Sequence, residues 1–306
     1  MDRRKFVKQV SLWSAGIIMA PPLFNLTREL SGSPLIKPDI IVAKGDDYSN
    51  MVGQVVQSLG GIGGFVKKGD RVVIKPNIGW DRGVEQGANT HPLIVAGLAM
   101  LCLDAGASRV MIFDRTCNEA RRCYNNSGIK AAVEQIKDKR LRLEYIDTRK
   151  FVRVKIDNGK VLNEWSFYKD ALEADCYINV PVAKHHSLSR LSIGLKNVMG
   201  VLGDSRGSIH YQLGAKLADL NRVIKPAFTI VDATRVIIRN GPQGGDLSDV
   251  KTLHTIIGSV DPVAADAYAT TLFGLAPDQI DATVAAYKTG LGQMELDKCN
   301  IQYLKA

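Results

Sequence analysis

Two lysines, two histidines and an amide follow one strand-like segment of this 306-residue chain, which has five histidines in all. Residues 178–200, INVPVAKHHSLSRLSIGLKNVMG, begin as an apolar run and then carry Lys184, His185, His186, Lys196 and Asn197. Lysine ammonium and side-chain amide groups donate hydrogen bonds to carboxylates and phosphates. Histidine exchanges protons near neutral pH. These residue types predict an anion site with acid–base chemistry beside it.

The geometry of an extended segment limits which of these side chains share a site. Neighbouring residues on such a segment point to opposite sides, so one of His185 and His186 is expected to face the ligand unless the chain turns there. We favour His185 as general acid or base, with His186 as the alternative. Lys184 either binds the anion or carries the proton itself, if burial lowers its pKa.

Further candidates follow the ends of other strand-like segments. The residues at these ends are Lys75, Asn77, Asp114 and Asp232. The glycine-rich stretch GDSRGSIH at 203–210 adds Arg206 and His210, and such a loop could close over an anion with its backbone N–H groups. His210 is either a site residue or simply the start of a helix. Lys75, Asn77, Lys196, Asn197 and Arg206 are predicted to bind the substrate.

Apolar strands alternate with helical segments, and this pattern predicts an α/β fold. Continuous apolar strands favour a mostly parallel sheet flanked by helices on both faces, and ligands bind beyond the carboxyl ends of such strands. A small β-hairpin insertion is expected over 151–165. The expected strands are 39–45, 71–80, 109–116, 141–147, 175–184, 227–237 and 253–259, and the expected helices are 48–65, 90–107, 118–137, 213–224, 261–274 and 278–289.

The first 30 residues are predicted to be an export signal outside the fold. DRRKFVK at 2–8 precedes the apolar stretch SLWSAGIIMAPPLF at 11–24, a pattern typical of a twin-arginine signal, with Asp2 where serine or threonine is usual. The apolar stretch is shorter than the roughly 20 residues of a membrane-spanning helix. An uncleaved N-terminal anchor and a basic amphipathic helix are the alternatives. The signal predicts export to the periplasm by the twin-arginine machinery, and a single domain over 38–306.

The cysteines set limits on cofactors. The five cysteines include no CxxC pair, which argues against an iron–sulfur cluster and a zinc ribbon. Cys117 and Cys123 are either a local disulfide, two free thiols or two metal ligands. A divalent metal stays open as a cofactor, because two histidines and a carboxylate are a common transition-metal set. The candidate metal ligands are His185, His210, Asp232 and Asp114.

The formal net charge of +9 favours an anionic partner. Basic and aromatic residues are not interleaved, so no nucleic-acid partner is expected. A membrane is expected to be contacted only through the N-terminal segment, if that segment stays uncleaved. The predicted partners are therefore the export machinery and a small anionic ligand.

Several segments of the chain resemble the DUF362 family, which is named for its unknown function. These segments are VVIKPNIGW, THPLIVAGLAMLCLDAGASRVMIFD, INVPVAKHHSLSRLSIGLKNVMGVLGD, IHYQLGAKLADLNRVIKPAFTIVDAT, GPQGG and DPVAADAYA, in the same order over residues 38 to about 275. The resemblance implies a fold and a site but no reaction. Many family members carry a ferredoxin-like segment with closely spaced cysteines, and this chain has no such segment.

Two classes of function fit these observations. The first is an exported enzyme that acts on a small carboxylate or phosphate by lysine and histidine acid–base chemistry, with or without a metal. An isomerase, a lyase and a metal-dependent hydrolase are the candidate types. The second class is a non-catalytic binding or maturation protein for a metal, a cofactor or an anion.

Overall fold

The structure is a computed structural model that describes residues 38–305. The predicted export signal lies outside the described residues. The strands are β1 (Ile40–Lys44), β2 (Arg71–Pro76), β3 (Arg109–Ile112), β4 (Leu141–Leu143), β5 (Phe151–Lys155), β6 (Glu164–Tyr168), β7 (Cys176–Val180), β8 (Lys184–His186), β9 (Arg190–Ser192), β10 (Phe228–Ile237), β11 (Val250–Ser259) and β12 (Ile301–Lys305). The α-helices are α1 (Tyr48–Ser58), α2 (Pro92–Asp104), α3 (Ala120–Asn126), α4 (Ile129–Glu134), α5 (Lys169–Leu172), α6 (Gly194–Asn197), α7 (Leu213–Val223), α8 (Pro262–Thr271) and α9 (Asp281–Lys288).

Eight strands form one central sheet in the order β12-β1-β11-β10-β7-β2-β3-β4. Strand β11 runs antiparallel to β1 and β10, and the other neighbouring strands of this sheet pair in parallel. The carboxyl ends of β2, β3, β7 and β10 therefore lie at one edge of the sheet. The predicted mostly parallel α/β fold is confirmed.

Alternate strand residues pack into cores on opposite faces of the sheet. On β2, Val72 and Ile74 join a core with residues of α1 to α4, whereas Val73 joins a core with residues of α7. On β1, Ile40 and Val42 pack with residues of α8. Period-two alternation with both faces buried is what a strand covered by helices on each side requires.

Two small antiparallel hairpins accompany the central sheet. Strands β5 and β6 form the predicted insertion, and Asn158 in the connection between them has a φ of 58°. Strands β8 and β9 form a second hairpin, which the sequence analysis did not predict and which carries the Lys184–His186 segment. No α-helix within 38–305 has the length and hydropathy needed to cross a bilayer.

Strand β2 ends at Pro76, earlier than the expected residue 80, because side chains take over the hydrogen bonding of its backbone. The Asn77 N–H donates to Thr90 Oγ1 at 2.8 Å, and the Ile78 N–H donates to Asp114 Oδ2 at 2.6 Å. Buried N–H groups need such partners wherever a strand neighbour is lost. The chain leaves the sheet here and forms one wall of a cleft.

Candidate functional site

A cleft of about 420 Å³ opens at the carboxyl ends of β2, β3 and β7. We call it the basic cleft, because its lining contains four cationic side chains and only one carboxyl group. The cations are Lys184, Lys196, Arg115 and Arg206, and the carboxyl group is that of Asp114. Of the other predicted site residues, the lining includes Asn77, His186, Asn197 and His210. The expected strand-end location of the site is thus where these residues converge.

The β8–β9 hairpin decides which histidine reaches the basic cleft. Alternation along β8 places Lys184 and His186 on one side, and both are buried and line the cleft. His185 lies on the other side, where its Nδ1 accepts a hydrogen bond from the Gly241 N–H at 3.0 Å. We expected His185 to face the ligand, and this expectation is wrong, because the His186 ring is the one that lines the cleft. Pairing of β8 with β9 turns the His185 side chain away from the cleft.

A buried ion pair lies beneath the basic cleft. Lys75 Nζ is 2.9 Å from Asp114 Oδ1, and both side chains are almost fully buried. Asn197 fixes the pair, since its Oδ1 accepts from Lys75 Nζ at 3.0 Å and its Nδ2 donates to the Lys75 carbonyl. We call Lys75 and Asp114 the floor ion pair. Lys75 therefore supports the cleft from below, whereas the prediction had it binding the substrate directly.

Gly200 is required where the chain passes over the floor ion pair. A Cβ atom at this position would lie 1.9 Å from Asp114 Oδ1 and 2.3 Å from Lys75 Cε. Real Cβ atoms do not come so close to other heavy atoms, so only glycine fits here without displacing the pair. Gly200 was not among the predicted site residues, although a glycine inside the apolar run after Asn197 was the available signal.

The two cleft lysines differ in how they are held. Lys184 Nζ donates to Asn77 Oδ1 at 2.9 Å and to the Ala88 carbonyl, and burial lowers its pKa to about 7. Lys196 has no hydrogen-bond or ion-pair partner among the described residues, and burial lowers its pKa to about 8. Desolvation disfavours a charged amine in this way. Lys184 therefore exchanges its proton near neutral pH, and Lys196 offers an unpaired ammonium to a ligand.

Helix α6, which carries Lys196 and Asn197, is anchored by a buried carboxyl group. Asp266 of α8 accepts from the Gly194 and Leu195 N–H groups, at 2.8 and 2.9 Å. Burial raises the pKa of Asp266 to about 7. Asp266 thus positions the two cleft residues of α6, a role that the sequence analysis did not predict.

The two cleft histidines present complementary atoms. The rings of His186 and His210 stack at 5.6 Å between centroids. His186 Nδ1 accepts from the Leu188 N–H, and burial lowers the pKa of His186 to about 3, so the neutral ring carries its proton on Nε2. His210 Nδ1 lies 3.1 Å from the Gly207 carbonyl, which can only accept, so its Nε2 is the unprotonated nitrogen. One ring can donate to a ligand and the other can accept from it.

Arg206 holds the loop after β3 against the basic cleft. Its guanidinium donates to the carbonyls of Arg115 and Thr116, and it lies 3.4 Å from Cys117 Sγ. Cys117 is an exposed free thiol that lines the cleft, whereas Cys123 is buried and also free. Of the alternatives for Cys117 and Cys123, the structure contains two free thiols. The sequence did not indicate that Cys117 lines a cleft. Its spacing from Cys123 suggested only a disulfide or a pair of metal ligands.

The candidate metal ligands are not assembled into one site. Asp232 is a residue of β10, and its carboxyl group accepts from the His91 N–H before α2 at 2.7 Å and from Thr234. Asp114 belongs to the floor ion pair, and His185 contacts Gly241. Within residues 38–305, no group of three or more histidine, cysteine, aspartate or glutamate side chains is arranged to hold a metal.

Residues 72–271 match DUF362, a domain of unknown function. This chain belongs to the DUF362 family. The matched range includes every candidate residue of the basic cleft and the floor ion pair. Membership of this family specifies no reaction.

The DUF362 protein is also similar to a cyanobacterial protein and to two proteins of solved structure. It is 29% identical over 245 residues to the thylakoid-associated protein sll1697 of Synechocystis, which covers 78% of this chain and 73% of that protein. A crystal structure from Thermotoga maritima aligns with 76% of this chain and 60% of its own, with 14% identity and a TM-score of 0.47. The lactate racemase apoprotein of Thermoanaerobacterium thermosaccharolyticum aligns with 74% of this chain and 55% of its own, with 10% identity and a TM-score of 0.40.

Proposed function

We propose that this DUF362 protein is an enzyme that binds a small carboxylate or phosphate in the basic cleft and moves a proton beside it. The observation that carries the proposal is the charge of the lining. Four cations line the cleft, and its one carboxyl group, that of Asp114, is already paired with the buried Lys75. Lys196 has no hydrogen-bond or ion-pair partner within residues 38–305. Because its ammonium group is desolvated, an anionic ligand would stabilise it.

Lys184 is the proposed proton carrier. A general acid or base works best when its pKa lies near the working pH, and burial brings the pKa of Lys184 to about 7. The neutral His186 ring is a hydrogen-bond donor through Nε2 and is too weak a base to compete with the lysine amine at pH 7. Proton removal next to the bound anion is the step that an isomerase and a lyase share. An isomerase then returns the proton to carbon, whereas a lyase forms a double bond as the leaving group departs.

The location of this activity belongs to the same proposal. The arginine pair and apolar stretch within residues 2–24 support export through the twin-arginine route. An exported enzyme of this type would meet its anionic substrate outside the cytoplasm. Export can be tested by fusing residues 1–37 to a reporter that is active only after export in the folded state. The control is the same fusion with Arg3→Lys and Arg4→Lys.

The experiment for the activity follows carbon-bound protons. Wild-type protein is incubated with a panel of small 2-substituted carboxylates in D₂O, and NMR records the loss of the C2 proton. We expect exchange in at least one compound with wild type, loss of that exchange in Lys184→Met, and retention in the surface control Lys251→Met. Binding of a panel member without exchange would contradict the enzyme and leave an anion-binding protein.

A further inference from the structure

The two stacked histidines of the basic cleft, His186 and His210, each keep one ring nitrogen for a ligand. In both rings the backbone occupies Nδ1, through the Leu188 N–H at 3.1 Å from His186 and the Gly207 carbonyl at 3.1 Å from His210. Within residues 38–305, neither Nε2 atom has a hydrogen-bond partner. The nitrogens left for a ligand are therefore a donor on His186 and an acceptor on His210.

Lys196 acts on both rings. It lines the same cleft, and after burial its charge is the largest cause that lowers the pKa of each histidine. Both rings are therefore neutral at pH 7, and the donor and acceptor roles hold at that pH. An anion held by Lys196 has the His186 Nε2–H beside it as a further donor.

The spacing of the rings limits what else the anion carries. Their centroids are 5.6 Å apart and their planes lie 19° from parallel. A group attached about one or two carbons from the anionic group is therefore within hydrogen-bond reach of His210 Nε2. That nitrogen accepts, so the group that satisfies it is a donor.

We propose that the ligand of the basic cleft is an anion that bears a hydroxyl group, with the anionic group accepting from Lys196 and His186 and the hydroxyl donating to His210 Nε2. The inference rests on the proposed anion binding and names its substrate class. A hydroxy carboxylate and a hydroxylated alkyl phosphate share this chemistry.

The other common substituents of small carboxylates fit the two histidines less well. A ketone oxygen only accepts, so it would place a lone pair against the unprotonated His210 Nε2. An ammonium group can donate to that nitrogen, but it would add positive charge to a cleft that four cations line. A hydrocarbon substituent leaves the nitrogen without a donor. Of this set, the hydroxyl group alone donates and carries no charge.

The test is a binding series measured with wild-type protein by calorimetry at pH 7 and fixed ionic strength. The carboxylate probes are butanoate and its 2-hydroxy, 3-hydroxy, 2-oxo and 2-amino derivatives, and the phosphate probes are propyl phosphate and glycerol 1-phosphate. We expect a hydroxylated probe of at least one series to bind about three- to tenfold more tightly than its parent, as one net hydrogen bond provides. The 2-oxo and 2-amino derivatives should bind no more tightly than butanoate. The series that shows the gain distinguishes a carboxylate from a phosphate.

Variants locate the effect at His210. His210→Phe removes the acceptor and should reduce the hydroxyl preference, defined as the affinity ratio of hydroxylated to parent anion, to about one. His210→Gln keeps an acceptor oxygen and should retain a preference, which keeps the test informative if His210→Phe does not fold. The matched control is His254→Phe, because His254 belongs to β11 and is not in the lining of the basic cleft. This control should show the wild-type preference.

Nitrogen-15 NMR of the histidine rings tests the same inference without a substitution. We expect the proton of His186 on Nε2 and that of His210 on Nδ1. A His210 ring protonated on Nε2 would overturn the proposed acceptor.

The outcomes separate this inference from the proposed function. Equal affinity of parent and hydroxylated anions in both series, or a preference that His210→Phe retains, would overturn the hydroxyl group while anion binding stands. Failure of every probe to bind wild type would overturn the anion site itself, and the inference with it.

Discussion

The pH dependence of anion binding follows from the two cleft lysines. A charged ammonium group holds an anion more tightly than a neutral amine does, so affinity falls as each lysine loses its proton. With pKa values of about 7 for Lys184 and about 8 for Lys196, raising the pH from 6 to 8 weakens binding by up to roughly tenfold through the first lysine and up to roughly twofold through the second. The combined effect is a rise of up to about 20-fold in Kd.

The assay uses acetate and sulfate, whose charges stay constant between pH 6 and pH 8, titrated by NMR at fixed ionic strength because salt screens such contacts. Lys184→Met should leave only the roughly twofold change, and Lys196→Met only the roughly tenfold change. Lys251→Met removes one exposed positive charge and should behave as wild type. A wild-type Kd that stays constant or falls between pH 6 and pH 8 would refute the assignment of these lysines.

Three further predictions concern Gly200, Lys184 and Cys117. Gly200→Ala should destabilise the protein by about 2–5 kcal/mol in urea unfolding, because its Cβ displaces the floor ion pair. The control Gly207→Ala, with no atom within 4 Å of its Cβ, should have no measurable effect. Equal urea midpoints for the two variants would show that the pair tolerates the methyl group. The pKa of lysine is near 10.4 in the unfolded chain, and that of Lys184 is about 7 in the folded protein. The free energy of unfolding of wild type should therefore rise by about 2 kcal/mol relative to that of Lys184→Met between pH 7 and pH 9. A fall over that range would contradict the lowered pKa of Lys184. Iodoacetamide should label Cys117 before the buried Cys123, and acetate or phosphate should slow the labelling in mass spectra; labelling unaffected by either anion would place the anion elsewhere.

The order of elements and the location of the site could be predicted from the sequence. Apolar runs such as VVI at 72–74 are buried on both faces, and this pattern is local and strong. The polar residues that follow such runs converge because parallel strands end at one edge of a sheet. For this reason the sequence predicted that Asn77, Asp114 and Lys184 lie close together, as they do in the lining of the basic cleft.

The finer features depend on tertiary contacts that the sequence pattern does not encode. The choice between His185 and His186 depends on the phase of the three-residue strand β8, which pairs with β9. The short strand β12 forms only because β1 offers it an edge to pair with. Asp266 lies 72 and 71 residues from Gly194 and Leu195, whose N–H groups donate to it, so sequence spacing gave no sign of its role.

The central claim is that the basic cleft holds an anion against Lys196, and calorimetric titration of phosphate and acetate at pH 6 tests it most directly. Wild type and Lys251→Met should bind with equal affinity, whereas Lys196→Met should bind at least about tenfold more weakly, since a charge-assisted hydrogen bond is lost. Equal affinity of Lys196→Met and wild type would contradict the account.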